Sequence, residues 1–228
     1  APVPTVYAPA VRPLSRGHGT ALAVGGACLA FGASLVFRLG GPDLFGHLAV
    51  GRWIVTHRAI PSEDPFSHTS EGPFRYMEVL AEVLLHAVEA LGGVPLLIGV
   101  FALIGAATAG LVAARTEGRA TARAAVVLAV GAASHAAMAP KPQVFSYLCF
   151  AGLLALLDRA RERPRLLFGV PPLFLAWANL HRGGVFGLAA AGLVGVARAL
   201  DPAPWRGRRV GWIALALGGA LLACLVNP

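Results

Sequence analysis

The stretch "VPLLIGVFALIGAATAGLVAA", residues 94–114, runs for 21 residues without a charge. An α-helix needs about 20 such residues to cross the hydrocarbon core of a bilayer. Gly92-Gly93 stand just before it and the basic linker "RTEGRATAR" (115–123) follows it. It predicts a membrane span. Reading outward in both directions gives six further apolar segments of comparable character, at 20–37, 122–139, 144–157, 166–180, 184–200 and 210–226.

Composition agrees with that reading. Of the 228 residues, 57% are hydrophobic and 13% charged, with a mean hydropathy of +0.69. A soluble domain carries about 25% charged residues, so little here can cover a water-facing surface. The expected fold is all-α: a polytopic membrane protein of about seven transmembrane helices. Cys28, Cys149 and Cys224 all lie in apolar runs. Their odd number argues for packing and against a disulfide framework. The Pro-rich residues 1–19 read as a cytoplasmic arm, with no clear cleavage site after the first apolar run. Residues 20–228 read as one module.

Charge placement orients the module. Alternating topology puts the N-terminus and the linkers 115–123, 158–165 and 198–209 on one side, with 13 of the 19 Arg and Lys residues. The other side holds six: Arg38, Arg52, Arg58, Arg75, Lys141 and Arg182. Basic residues concentrate on the cytoplasmic side of membrane proteins. The N-terminus is therefore expected in the cytoplasm and the C-terminus outside, in the periplasm. The net charge of +8 reflects this topology and excludes nucleic acid as the partner. Seven of the eleven acids lie in the first outward loop, 38–93.

That loop is the only long hydrophilic segment, and long loops in compact domains are usually functional. "GPDLFGHLAVGRWI" (41–54) opens it. Asp43 suits a helix N-cap, and the helix 43–57 is too polar to span and too apolar for a linker. Leu44, Leu48 and Val55 share one stripe; Asp43 and His47, four apart, share another. An irregular stretch, "IPSEDPFSHTSEGPF", follows. "YMEVLAEVLLHAVEALGG" (76–93) then reads as a second amphipathic helix ended by Gly92-Gly93. Its expected apolar face is Met77, Leu80, Leu84, Val88 and Leu91. Glu78, Glu82 and Glu89 lie within about 40° of one another on the other side. Both helices, 43–57 and 77–91, are expected to lie along the outer interface.

Outward polar residues are the candidates for chemistry. "HAAMAPKPQVFSY" and "WANLHRGG" join the loop acids there. The segment 166–180 is short for a span, and Pro171-Pro172 is expected to interrupt its ladder. Asn179, His181 and Arg182 are thereby expected below the outer surface, where polar groups are functional candidates. Lys141, His181 and Arg182 suit a phosphate. Asp43 suits a general base, with His47 orienting it, and Asp64 and Glu78 are further acids able to serve. Two or three of these acids can instead hold a divalent metal ion through oxygen ligands, so the cofactor stays open. Each residue also has a structural reading. Asp43 can simply cap its helix, and His47 can sit at the interface. Asp64 before Pro65 suits a turn, the glutamate stripe suits a solvated face, and Lys141 and Arg182 can snorkel. His135 suits packing. No zinc spacing, phosphate loop or serine nucleophile motif is present.

Taken together, "DLFGHLAVGRWIVTHRAIPSEDPFSHT", "FRYMEVLAEVLLHAVEALGG", "KPQVFSYLCFAGLLALLDR", "LFLAWANLHRGG" and "LVNP" resemble a family of bacterial multi-pass proteins. These are similar to the GT-C superfamily of membrane glycosyltransferases. The resemblance covers most of residues 41–228. It implies a seven-helix module of the bacterial inner membrane, with an essential acid in the first outward loop, a place matched here by Asp43. It also implies a polyprenyl-phosphate-linked sugar as donor, presented from the membrane lipid. Two function classes remain: a glycosyltransferase with Asp43 as base and His47, Lys141, His181 and Arg182 holding substrate, or a non-catalytic scaffold among other membrane subunits.

Overall fold

The computed structural model describes residues 16–36, 43–67, 69, 72–73, 76–200 and 208–227. The arm 1–15, the residues 37–42, and Glu71, Arg75 and 201–207 lie outside the described residues. All regular structure among the described residues is helical: α1 (Arg16–Ser34), α2 (Asp43–His57), α3 (Val79–Arg115), α4 (Ala120–Ser134), α5 (Gln143–Arg159), α6 (Val170–Leu180), α7 (Gly184–Leu200) and α8 (Arg208–Cys224). Two 3-10 turns, His135–Met138 and Pro164–Gly169, prolong α4 and precede α6. The all-α expectation holds. Among the described residues two helical stretches, Val79–Arg115 and Ala120–Met138, are long and apolar enough to cross a membrane, with mean hydropathies of 2.4 and 1.3. The other apolar segments form shorter helices.

The expected break at Gly92-Gly93 is present inside α3. Gly92 (φ −153°, ψ 17°) and Gly93 (φ 66°, ψ −167°) leave helical geometry and divide α3 into an amphipathic stretch and the apolar one that opened the sequence reading. Gly93 sits in a region open to glycine alone. Pro95 falls in the first turn after the break, where a missing N–H costs nothing.

Pro171-Pro172 behave differently from the expectation. They open α6 at its first turn and do not interrupt a helix. The fixed φ of proline suits that position, and the residues before it take the tighter 3-10 form. The expected segment 166–180 therefore shrinks to an α-helix of 11 residues.

Two large apolar cores and a small third one, Val50 and Ile54 of α2 with Tyr76, hold the described helices. Phe31 of α1 and Leu35 just after it, Leu44 and Leu48 of α2, Leu97 and Phe101 of α3, and Val127 of α4 form the first. Leu153 of α5, Phe174 and Trp177 of α6, Ala191 of α7 and Ile213 and Ala220 of α8 form the second. α5 contributes Val144 to one and Cys149 to the other and so joins them. Cys28 and Cys149 are free and buried, in the packing role expected.

One face is reversed from the expectation. In the first stretch of α3, Ala81, Glu82 and Leu85 are buried; of the expected apolar face, Leu80, Leu84 and Leu91, with Met77 just before the helix, are exposed, while Val88 is half-buried against the first core. Of the glutamates that suited a solvated face, Glu78, just before the helix, and Glu82 point inward, 8% and 4% exposed, and Glu89 is half-buried. On α2 the face of Leu44 and Leu48 is buried as expected, but Val55 is exposed.

Candidate functional site

The inward glutamates meet α2 and the loop before α7. An open cleft of about 620 Å³ is lined by Asp43, Gly46, His47 and Val50 of α2, by Asp64, Phe66, Tyr76, Met77 and Glu78 of the loop, by Glu82 of α3, and by Arg182. Five sequence-derived candidates, Asp43, His47, Asp64, Glu78 and Arg182, thus share one concavity although they span 140 residues of chain. His181 stands behind this wall, its Nε2 3.5 Å from Glu78 Oε1. Lys141 is half-buried and outside the lining, but its charge reaches His181.

Each acid has a distinct setting. Asp43 opens α2, where a negative charge favours the helix dipole. It is exposed and makes no hydrogen bond or ion pair with the described residues. His47 does not pair with it. Its Nδ1 lies 3.4 Å from Glu82 Oε1, and Glu82 Oε2 is buried with no partner. Asp64 behaves as the turn acid: its Oδ1 accepts the Phe66 N–H at 2.9 Å and the Tyr76 hydroxyl at 3.4 Å. Burial first, and Asp64 second, push the Tyr76 phenol up to about 12, so it stays a donor. Glu78 lies between His181 and the exposed Arg182, whose Nε is 3.8 Å away. Further along α3 the half-buried Glu89 lies 3.5 Å from His86 and 3.7 Å from Arg52 of α2. No group of three or more His, Cys, Asp or Glu among the described residues converges as metal ligands would.

Behind the cleft, buried groups that composition did not mark take part. Trp177 Nε1 donates to Ser146 Oγ at 2.7 Å. Ser146 Oγ lies 2.7 Å from His181 Nδ1, which also accepts the Gly183 N–H at 3.1 Å. Burial, then the charges of Arg182, His47 and Lys141, hold the His181 imidazole below its usual range against the opposing pull of Glu78. Asn227 Nδ2 donates to Met77 O and Ala178 O, clamping the residue before Glu78 to the end of α6. Asn179 donates to Val226 O in return. The sequence marked Asn179, but only as a polar group at depth. His135, expected to pack, lies 3.1 Å from Ser34 O.

What this arrangement offers is a carboxylate at the mouth, Asp43, without a partner among the described residues, bonded acids deeper in, and the exposed Arg182 guanidinium opposite. No known protein family, curated protein or solved structure matches the chain.

Proposed function

We propose that the chain is a polytopic membrane protein of the bacterial inner membrane that transfers a sugar from a polyprenyl-phosphate-linked donor, as its resemblance to the GT-C transferases implies. The observation that carries the reading is the reversed face of α3. A helix that buries Glu78 and Glu82 while exposing Leu80, Leu84 and Leu91 suits apolar surroundings outside and a polar cleft within. The stretch Ala120–Met138 supports it too. It is apolar, yet only 17% of its most apolar window is buried. Lipid can cover such a helix where water would not. In this reading residues 94–115 rise about 33 Å, enough to cross a hydrocarbon core of about 30 Å.

The cleft would face the periplasm, with the N-terminus in the cytoplasm. Asp43, without a partner among the described residues, takes the proton from an acceptor hydroxyl. The acceptor oxygen then bonds to the anomeric carbon, and the polyprenyl phosphate leaves with the bonding pair. Such a single displacement inverts that carbon. Arg182 meets the departing phosphate, since its long contact to Glu78 is exposed and weak enough to exchange. Lys141 adds positive potential behind it.

The test is reconstitution of the purified chain in vesicles with polyprenyl-phosphate-linked sugars. Transfer that depends on Asp43 supports the reading. No transfer from any such donor, together with stoichiometric co-purification of other membrane subunits, would replace it with the scaffold reading.

A further inference from the structure

The bonds behind the cleft have a direction. An indole N–H can only donate, so Trp177 occupies an acceptor site of the Ser146 oxygen. The Ser146 proton is then free for its other neighbour, His181 Nδ1, 2.7 Å away. The Gly183 N–H is also only a donor, and it reaches the same nitrogen. Two donors meeting at Nδ1 leave no place for a proton there. The imidazole proton must sit on Nε2, the atom facing Glu78.

We infer that Trp177, Ser146 and Gly183 are positioning residues that lock His181 as the Nε2–H tautomer, and so aim its one donor at the Glu78 carboxylate in the cleft wall. The inference rests on the proposed function only in treating that cleft as the binding site. Ser146 and Trp177 are 8% and 1% exposed, so these bonds lie largely away from solvent. Gly183 is needed because a Cβ there would come within 2.4 Å of Ser146 Oγ. His181, expected from the sequence to hold phosphate, instead acts through Glu78. The groups that bear on its titration are Glu78, which favours its charged form, and Arg182, His47 and Lys141, which oppose it.

The experiment is ¹⁵N NMR of the histidine rings in the full chain, solubilised in detergent and titrated with acid. The His181 signal is assigned by its loss in His181→Gln. Wild type should show a protonated Nε2 and a bare Nδ1 at neutral pH. Ser146→Ala removes one of the two donors at Nδ1 and leaves the Gly183 N–H, so the Nδ1–H tautomer should gain population and the titration midpoint should rise, by about one unit for a lost hydrogen bond to the neutral form. Ser146→Thr keeps the hydroxyl and should restore the wild-type pattern. A proton on Nδ1 in the wild type overturns the inference without any variant. So does a Ser146→Ala chain that folds with an unchanged tautomer and midpoint. Neither readout needs catalysis, so the absence of glycosyl transfer would leave this result standing on its own.

Discussion

At one end of the bundle, Arg115 binds Asp158 at 2.6 Å, and Arg123 and Arg198 donate to the Ala113 and Leu157 carbonyls near the ends of α3 and α5. At the other end, Asp43 and one oxygen of Glu82 have no partner among the described residues, and Arg182 is mostly exposed. Both ends are rich in ionisable groups. The arginines fill carbonyls that a helix end leaves without intrahelical partners, so their charge is spent on closing the structure, although Arg123 Nε is buried without a hydrogen bond among the described residues. At the other end Asp64, Glu78 and Glu82 are engaged, and Asp43 stays available. Charge spent on the fold and charge kept for a ligand are told apart by partners, and residue type alone does not separate them.

The largest expected effect breaks this contrast chemically. Asp43→Asn should lower sugar transfer by about 10²–10⁴, the usual loss with a general base, while folding is nearly unchanged because Asn also suits a helix start. Asp158→Asn, at the arginine end, should leave transfer intact. The rates in reconstituted vesicles decide it. Full activity in Asp43→Asn would move the base elsewhere, and a larger loss in Glu78→Gln would place it there.

A second test asks whether the ends lie on opposite sides of a membrane. Cysteines introduced at Ser62 and Glu117, both exposed, should differ in intact cells. An impermeant thiol reagent should label the first and not the second. The reverse pattern would invert the orientation.

A third concerns how the cleft end is held together. Asn227→Ala removes two donors from the Met77 and Ala178 carbonyls. At about 0.5–1.5 kcal/mol for each bond, it should cost roughly 1–3 kcal/mol. Thr116→Val, which loses one neutral bond to Ala113 O at the arginine end, should cost less. Thermal unfolding in detergent compares the two. Equal costs would mean that Asn227 clamps nothing of consequence.

The helices were legible from the sequence because apolar run length and Gly-Pro punctuation are local signals. The break at Gly92-Gly93 and the bounds of residues 43–57 follow from neighbours in the chain. The facing of the first stretch of α3 does not. Its leucines and glutamates define two faces equally well, and which one turns inward depends on the surroundings. Expecting water there assigned the glutamates outward. Asp43, His47, Asp64, Glu78 and Arg182 were legible as types, and the fold brings them to one cleft. Ser146, Trp177 and Asn227 were not, since a serine and a tryptophan in apolar helices look like packing. A polar residue among apolar ones, repeated at Ser146 and Thr108, was the available signal. It separates poorly, because the Thr108 hydroxyl merely bonds back to its own helix at Ile104 O.

The smallest expected effect is a pH dependence confined to the cleft end. His181 titrates below its usual value of 6.5 in the folded chain, so the unfolded chain takes up its proton first as the pH falls. The stability linked to the neutral ring is fully present above about 6.5 and is lost progressively below it, levelling once the native ring is also charged. Charging puts a proton on Nδ1, where the Gly183 N–H already points, and two donors then face each other. Hydrogen exchange of the Gly183 amide, corrected for its intrinsic pH dependence, should quicken between pH 7 and 5. The Thr116 amide, bonded to Ala113 O at the arginine end, should not change, because the Arg115–Asp158 pair beside it contains no imidazole. If Gly183 stays protected throughout, His181 keeps its neutral form by some other means. If both amides loosen together, acid acts on the whole bundle and the two ends are not independent.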